Sequence, residues 1–298
     1  MTKDCDRSPL ALNSACAAPS GGLAAPVGIF DSGLGGLSVL RAVRAQLPDE
    51  TLIYVADSRH APYGERENAF IVERTLAIGD WLVSQGAKAL VVACNTATAE
   101  SIAHARERLP IPVVGVEPGI KPAATQSKTR VAGVLATQVT LKSERFHGLI
   151  ARYGADCRFI CQPGHGLVEA IERCDIDSPS LRQLLASYIE PMLAAGADTL
   201  VLGCTHYPFL DAAIRDIAGE RLSLIDTGIA IARQLERILD TNALRAGGRP
   251  EIAPPRLCST SDGRHLRQLA SRLLGLDAPV ERIDIPLCKP STRQPEAA

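Results

Sequence analysis

Gly86-Ala87-Lys88-Ala89-Leu90-Val91-Val92-Ala93-Cys94-Asn95-Thr96 returns 110 residues later as Gly196-Ala197-Asp198-Thr199-Leu200-Val201-Leu202-Gly203-Cys204-Thr205-His206. Each stretch reads as a glycine that ends a helix, a short apolar run that forms a buried strand, and a cysteine that opens a polar segment. The same offset relates Val113 to Ser223, and a further strand pair is offset by 105 residues, so the repeat carries small insertions. A repeat this long predicts two like lobes rather than a solenoid of short units.

Working outward, apolar strands alternate with amphipathic helices. Strands are expected at 27–30, 51–55, 89–92 and 112–116, and again at 130–135, 156–161, 200–202 and 222–225. Helices are expected at 37–46, 68–85, 97–108, 141–153 and 180–195, with another after Gly228. This is the pattern of parallel βαβ units. The fold class is therefore α/β: two similar lobes with mainly parallel sheets flanked by helices, and a site in the cleft between them. Residues 26–117 with 231–286 make the first lobe and 118–230 the second; 1–25 and 287–298 are read as disordered tails.

Composition narrows the function. The 32 basic and 33 acidic residues nearly cancel, which gives no field favouring nucleic acid or an anionic membrane. No apolar run approaches the ~20 residues of a membrane span. The first 25 residues lack the cationic start and long apolar stretch of a secretory leader, so a cytoplasmic location is expected. The nine cysteines are irregularly spaced without a C-x-x-C pair, which supports neither a metal site nor a thioredoxin-type motif.

Ligands of open α/β sheets bind beyond the carboxyl ends of the strands. Those ends carry Asp31-Ser32, Asp57-Ser58, Cys94-Asn95-Thr96, Glu117, Thr137, Cys204-Thr205-His206 and Asp226-Thr227. Acids, hydroxyls and thiols dominate. Lysine is absent, so no Schiff-base residue for pyridoxal is evident, and no cofactor is expected. Most cysteines of such a chain are small buried hydrophobes. Two of them at one repeated position, each leading into a polar tripeptide, point instead to one acid/base group on either face of a carbon centre. Asp31 through Gly36 lacks the spacing of a nucleotide loop. Asp31 suits either a substrate ammonium or a turn cap. Tyr63 also fits a loop cover, His206 a buried core histidine, and Glu169 a solvated helix position.

These residues also carry a resemblance. Gly28 to Val39, Pro62-Tyr63-Gly64, Cys94-Asn95-Thr96-Ala97, Thr137 to Ser143 and Gly203-Cys204-Thr205-His206-Tyr207-Pro208 occur in order across about two-thirds of the chain. In them the sequence resembles the glutamate racemases of the cofactor-independent aspartate/glutamate racemase superfamily. The resemblance implies interconversion of L- and D-glutamate, with D-glutamate feeding peptidoglycan precursors and thus cell-wall biogenesis and cell shape. It implies Cys94 and Cys204 as the acid/base pair, Cys94 acting on D-glutamate and Cys204 on L-glutamate. It implies substrate contacts from Asp31, Ser32, Tyr63, Gly64, Asn95, Thr96, Thr137, Thr140, Thr205 and His206, with Glu169 and His206 assisting the second cysteine. It leaves room for a homodimer and for a cell-wall precursor as effector. Cys161-Gln162-Pro163-Gly164-His165-Gly166, ahead of Glu169, departs from the family pattern. The rival readings are a racemase of aspartate or of amino acids more broadly, a non-catalytic amino-acid-binding module, and a thiol redox protein.

Overall fold

The structure is a computed structural model and describes residues 22–248 and 254–287. In chain order it runs β1 (Val27–Asp31), α1 (Leu37–Gln46), β2 (Leu52–Ala56), α2 (Asn68–Ser84), β3 (Ala89–Val92), α3 (Asn95–Arg108), β4 (Val113–Gly115) and α4 (Ile120–Gln126). It continues with β5 (Val131–Ala136), α5 (Gln138–Lys142), α6 (Glu144–Tyr153), β6 (Arg158–Pro163), α7 (Leu167–Glu172), α8 (Pro179–Ala194), β7 (Thr199–Gly203), α9 (Asp211–Ala218) and β8 (Ser223–Ile225). The last elements are α10 (Gly228–Thr241), β9 (Arg256–Ser259), α11 (Arg264–Leu274) and β10 (Val280–Arg282).

Two all-parallel sheets result, of orders β10-β9-β2-β1-β3-β4 and β6-β5-β7-β8. The internal repeat is therefore real at the level of topology: the second sheet reproduces the β2-β1-β3-β4 order, and β9 and β10 extend only the first. Strands β1, β2, β3 and β7 are buried on both faces, which is why they read as unbroken apolar runs. Val27, Ile29, Leu37 and Leu40 pack with Leu235 and Leu269 on one face of the first sheet, and Phe30 and Val55 with Ile71, Ile78 and Ile102 on the other. The second sheet is covered likewise, by Leu185, Ile189 and Ile214 on one side and by Ile120 and Phe146 on the other.

The two repeated glycines perform the same local task. Gly86 (φ 82°) and Gly196 (φ 88°) take the left-handed conformation that an L side chain resists. In each case the glycine N–H and the next N–H turn back onto the preceding helix, Gly86 to Val83 and Ala87 to Leu82, Gly196 to Leu193 and Ala197 to Met192. This pair of bonds stops the helix and aims the chain into the strand that ends in cysteine.

Three expectations are revised. The helix expected at 141–153 is two helices, because the Ser143 hydroxyl accepts from the Phe146 N–H and starts a new helix there. Order begins before Pro26: Gly22–Ala24 form a 3-10 turn and Ala25 is buried, held by Lys88 Nζ donating to the Leu23 carbonyl at 2.7 Å. The rest of the two expected tails, 1–21 and 288–298, lies outside the described residues. The short helices α4, α7 and α9 were not anticipated, since one or two turns leave too little periodicity to read.

Lys88 also meets Glu50, Nζ to Oε2 at 2.5 Å, with both side chains almost fully buried. Removing one partner strands the other charge. Lys88→Met is expected to lower the unfolding free energy by about 3–5 kcal/mol, measured by urea denaturation, and Lys88→Met combined with Glu50→Leu should recover a large part of that loss.

Candidate active site

The carboxyl ends of the two sheets face one another across a pocket of about 820 Å³, including its open mouth. Its wall holds Ser32, Tyr63, Gly64, Asn95, Thr96, Thr137, Thr205 and both cysteines, so most of the residues singled out in the sequence come together. His206 and Glu169 line it too. Asp31 and Thr140 do not. Asp31 is fully buried beneath the wall, where Oδ2 accepts from the N–H groups of Gly33 and Gly36, at 3.2 and 3.0 Å, and Oδ1 lies 3.5 Å from the Thr205 hydroxyl. This is the turn-capping geometry. Burial raises the Asp31 carboxyl, against the opposing charge of His206. Thr140 sits behind Thr137, whose hydroxyl lies 2.9 Å from both the Thr140 and the Thr96 hydroxyls.

The two cysteines share a backbone setting and differ in partners. Cys94 precedes α3 and caps it through its own sulfur, Sγ accepting from the Ala97 N–H at 3.4 Å, with the Ser32 hydroxyl at 3.3 Å. Burial and the nearby Asp31 charge outweigh these bonds and push the thiol up to about 12. Cys204 instead faces an imidazole: Sγ lies 3.6 Å from His206 Nδ1. The other ring nitrogen, Nε2, is 2.5 Å from Glu172 Oε1. Burial disfavours charge on His206, but the bonds to Cys204 and Glu172 prevail and hold it well above its ordinary value. The Gly35 N–H of the opposite lobe also points at Nε2, at 3.1 Å.

The acid that meets His206 is Glu172, a residue the sequence reading did not single out. Glu169 lies one helical turn earlier in α7, and its buried Oε2 has no hydrogen-bond partner. Glu172 is set by a contact that no local pattern reveals, since Oε1 also accepts from the Leu34 N–H of the opposite lobe at 2.6 Å. Asp57 was noticed at a strand end but its work was not. It receives Tyr63 Oη at 2.6 Å, Thr260 Oγ1 at 2.9 Å, and Arg74 through two N–H groups at 2.8 and 3.0 Å. That network fixes the loop bearing Tyr63 and Gly64. Asn95 is buried on the wall with both amide atoms unpartnered, two polar groups available to a ligand. Among the described residues no acid, histidine and cysteine cluster has the form of a metal site, and no helix is long and apolar enough to cross a membrane.

The family model described as Asp/Glu/hydantoin racemase matches residues 37–235. Glutamate racemases from Ralstonia nicotianae and Pseudomonas aeruginosa are 59% and 50% identical, over 88% and 84% of this chain and 94% of each relative. Among solved structures, a glutamate racemase isoform from Bacillus anthracis aligns with a TM-score of 0.78 at 30% identity, over 89% of this chain and 99% of that one. The Escherichia coli glutamate racemase, crystallised with L-glutamate and the activator UDP-MurNAc-Ala, also aligns at 0.78, with 34% identity over 88% and 99% of the two chains.

Glu172→Gln is expected to bring the titration of His206 down toward the ordinary histidine value, followed by NMR of the imidazole nitrogens. The sign for stability follows from the raised folded value. The contribution of this histidine is full below its unfolded value near ~6.5 and is lost as pH rises through the folded one, so Glu172→Gln should flatten the stability profile above neutrality.

Proposed function

The chain belongs to the Asp/Glu/hydantoin racemase family, and we propose that it is a glutamate racemase working by two-cysteine proton transfer at Cα. The observation that carries this reading is the pair of like-placed thiols lining one pocket with unlike partners, Cys94 against the Ser32 hydroxyl and Cys204 against His206 Nδ1. Inversion needs a proton removed from one face and another returned to the other, so one group must start as base and the other as acid. Buried Cys94 supplies the thiol. His206 gives a Cys204 thiolate a cationic hydrogen-bond donor.

From L-glutamate, the Cys204 thiolate takes the α-proton, and the C–H electron pair stays on the substrate as a carbanion delocalised into the α-carboxylate. The Cys94 thiol then delivers its proton to the opposite face. D-Glutamate leaves with Cys204 as thiol and Cys94 as thiolate, and the reverse run starts from that state. No lysine lines the pocket, so the developing charge is met by donors already in position: the Asn95 amide and the hydroxyls of Ser32, Thr96 and Thr205. The D enantiomer supplies peptidoglycan precursors in the cytoplasm, the use that the resemblance implies.

Either Cys94→Ala or Cys204→Ala should lower racemisation by roughly 10²–10⁴-fold while glutamate still binds. The wild-type chain in deuterated water should incorporate deuterium at Cα of both enantiomers, read by mass spectrometry and chiral separation. Full racemisation by either variant would sink the two-base reading. Assays of aspartate alongside separate the nearest rival, and binding without exchange would favour the non-catalytic module.

A second observation favours a regulated enzyme. Where the chain crosses between lobes, another cavity is lined by Arg106, Lys121, Arg145, Arg152 and Arg237, with Glu117 as the acid among them. Such a basic pocket touching both lobes suits a pyrophosphate-bearing effector like the activator of the Escherichia coli relative. UDP-MurNAc-Ala is expected to raise the turnover of the wild-type chain, and Arg106→Ala to remove that response.

A further inference from the structure

A glutamate anion carries two carboxylates and one ammonium, so it enters the pocket with net charge −1. Yet the wall offers no lysine or arginine, and two of its acids, Glu65 and Glu169, add negative charge. Of the two histidines on the wall, His206 has both ring nitrogens engaged, one with Cys204 and one with Glu172. The other is His165, which is exposed at the pocket and for which no side-chain hydrogen bond or ion pair is found among the described residues. Its backbone carbonyl is held by the Tyr188 hydroxyl at 3.0 Å, which fixes the loop and leaves the imidazole unengaged.

The topology says which end of the substrate His165 serves. In the second lobe the sheet runs β6-β5-β7. Cys204 follows β7, Thr137 follows β5 and His165 follows β6, so their functions step across the pocket one strand spacing, about 4.8 Å, at a time. The Gly164 N–H bonds the Ala136 carbonyl at 3.0 Å and holds the last two strand ends side by side. A substrate whose α-carbon lies at Cys204 therefore points its side chain past Thr137 toward His165.

From this juxtaposition we propose that His165 determines specificity, its imidazole meeting the distal carboxylate of glutamate at the outer end of the pocket. The inference rests on the functional reading above and adds a residue to it. Neutral hydroxyls and the Asn95 amide accept a distal amide as readily as a distal carboxylate; a histidine donor tips the balance toward the carboxylate.

The test compares the wild-type chain with His165→Ala and His165→Gln, using both glutamate enantiomers as substrates and glutamine as a competitive inhibitor. His165→Ala should raise KM for both enantiomers about tenfold, the loss of one charge-assisted hydrogen bond at a partly open site. Its kcat should stay within about twofold, because the contact is equal in ground and transition states. His165→Gln, which keeps a donor, should recover part of the KM, and the inhibition constant of glutamine should barely move. An unchanged KM, a fall in kcat alone, or an equal weakening of glutamine would overturn the proposal. Wild-type exchange of the α-hydrogen in deuterated water is measured first. Its absence overturns both readings together, whereas normal exchange with an unmoved KM in His165→Ala overturns this one alone.

Discussion

The contact on which the site depends is the buried imidazole of His206, set between a cysteine and a glutamate of its own lobe and pressed against the first turn of the other. A Cβ on Gly35 would stand 2.3 Å from His206 Nδ1 and 2.7 Å from the His206 backbone nitrogen. The glycines of Asp31 to Gly36 are thus explained by what they receive. This turn has no phosphate to cradle; it is the surface on which the second lobe lands. Further bonds pin the landing: Leu34 N–H to Glu172, Ser38 Oγ to the Thr205 carbonyl at 2.9 Å, and Thr205 toward Asp31. Together these contacts hold the strand ends of both sheets against one pocket.

The repeat accounts for the symmetry of the framework, and the neighbours of each sulfur account for its loss. Both cysteines emerge from a central strand after the same helix stop. Only Cys94 turns directly into a long helix and caps it; Cys204 enters a 3-10 turn, Tyr207–Leu210, through His206. After Cys94 the helix carries Asn95 and Thr96 into the pocket wall, where Cys204 is followed by Thr205 and His206. The difference in partners between the two sulfurs therefore descends from a difference in local backbone.

The fold was legible because parallel strands buried on both faces must be apolar throughout, and a duplicated run such as 86–96 and 196–206 shows this twice. The pocket wall was legible because ligands gather at strand ends, and strand ends are visible wherever an apolar run meets Asp, Cys or Thr. What escaped was set by long-range partners. Nothing around Glu172 says that it, rather than Glu169, turns toward His206; the choice is made by the Leu34 N–H, 138 positions away in sequence. Asp31 carried two roles in the sequence; its Oδ2 takes the cap, and its Oδ1 faces the Thr205 hydroxyl at 3.5 Å. Ser143 broke a helix whose apolar spacing ran through it, since a capping hydroxyl competes with periodicity on equal terms.

The ion pair of Lys88 and Glu50 lies at the opposite end of β3 from Cys94. A single four-residue strand has an ion pair locked beneath it and a buried thiol just beyond its tip. The lower end bears on how firmly the first lobe folds, and the cysteine above it both caps α3 and lines the pocket.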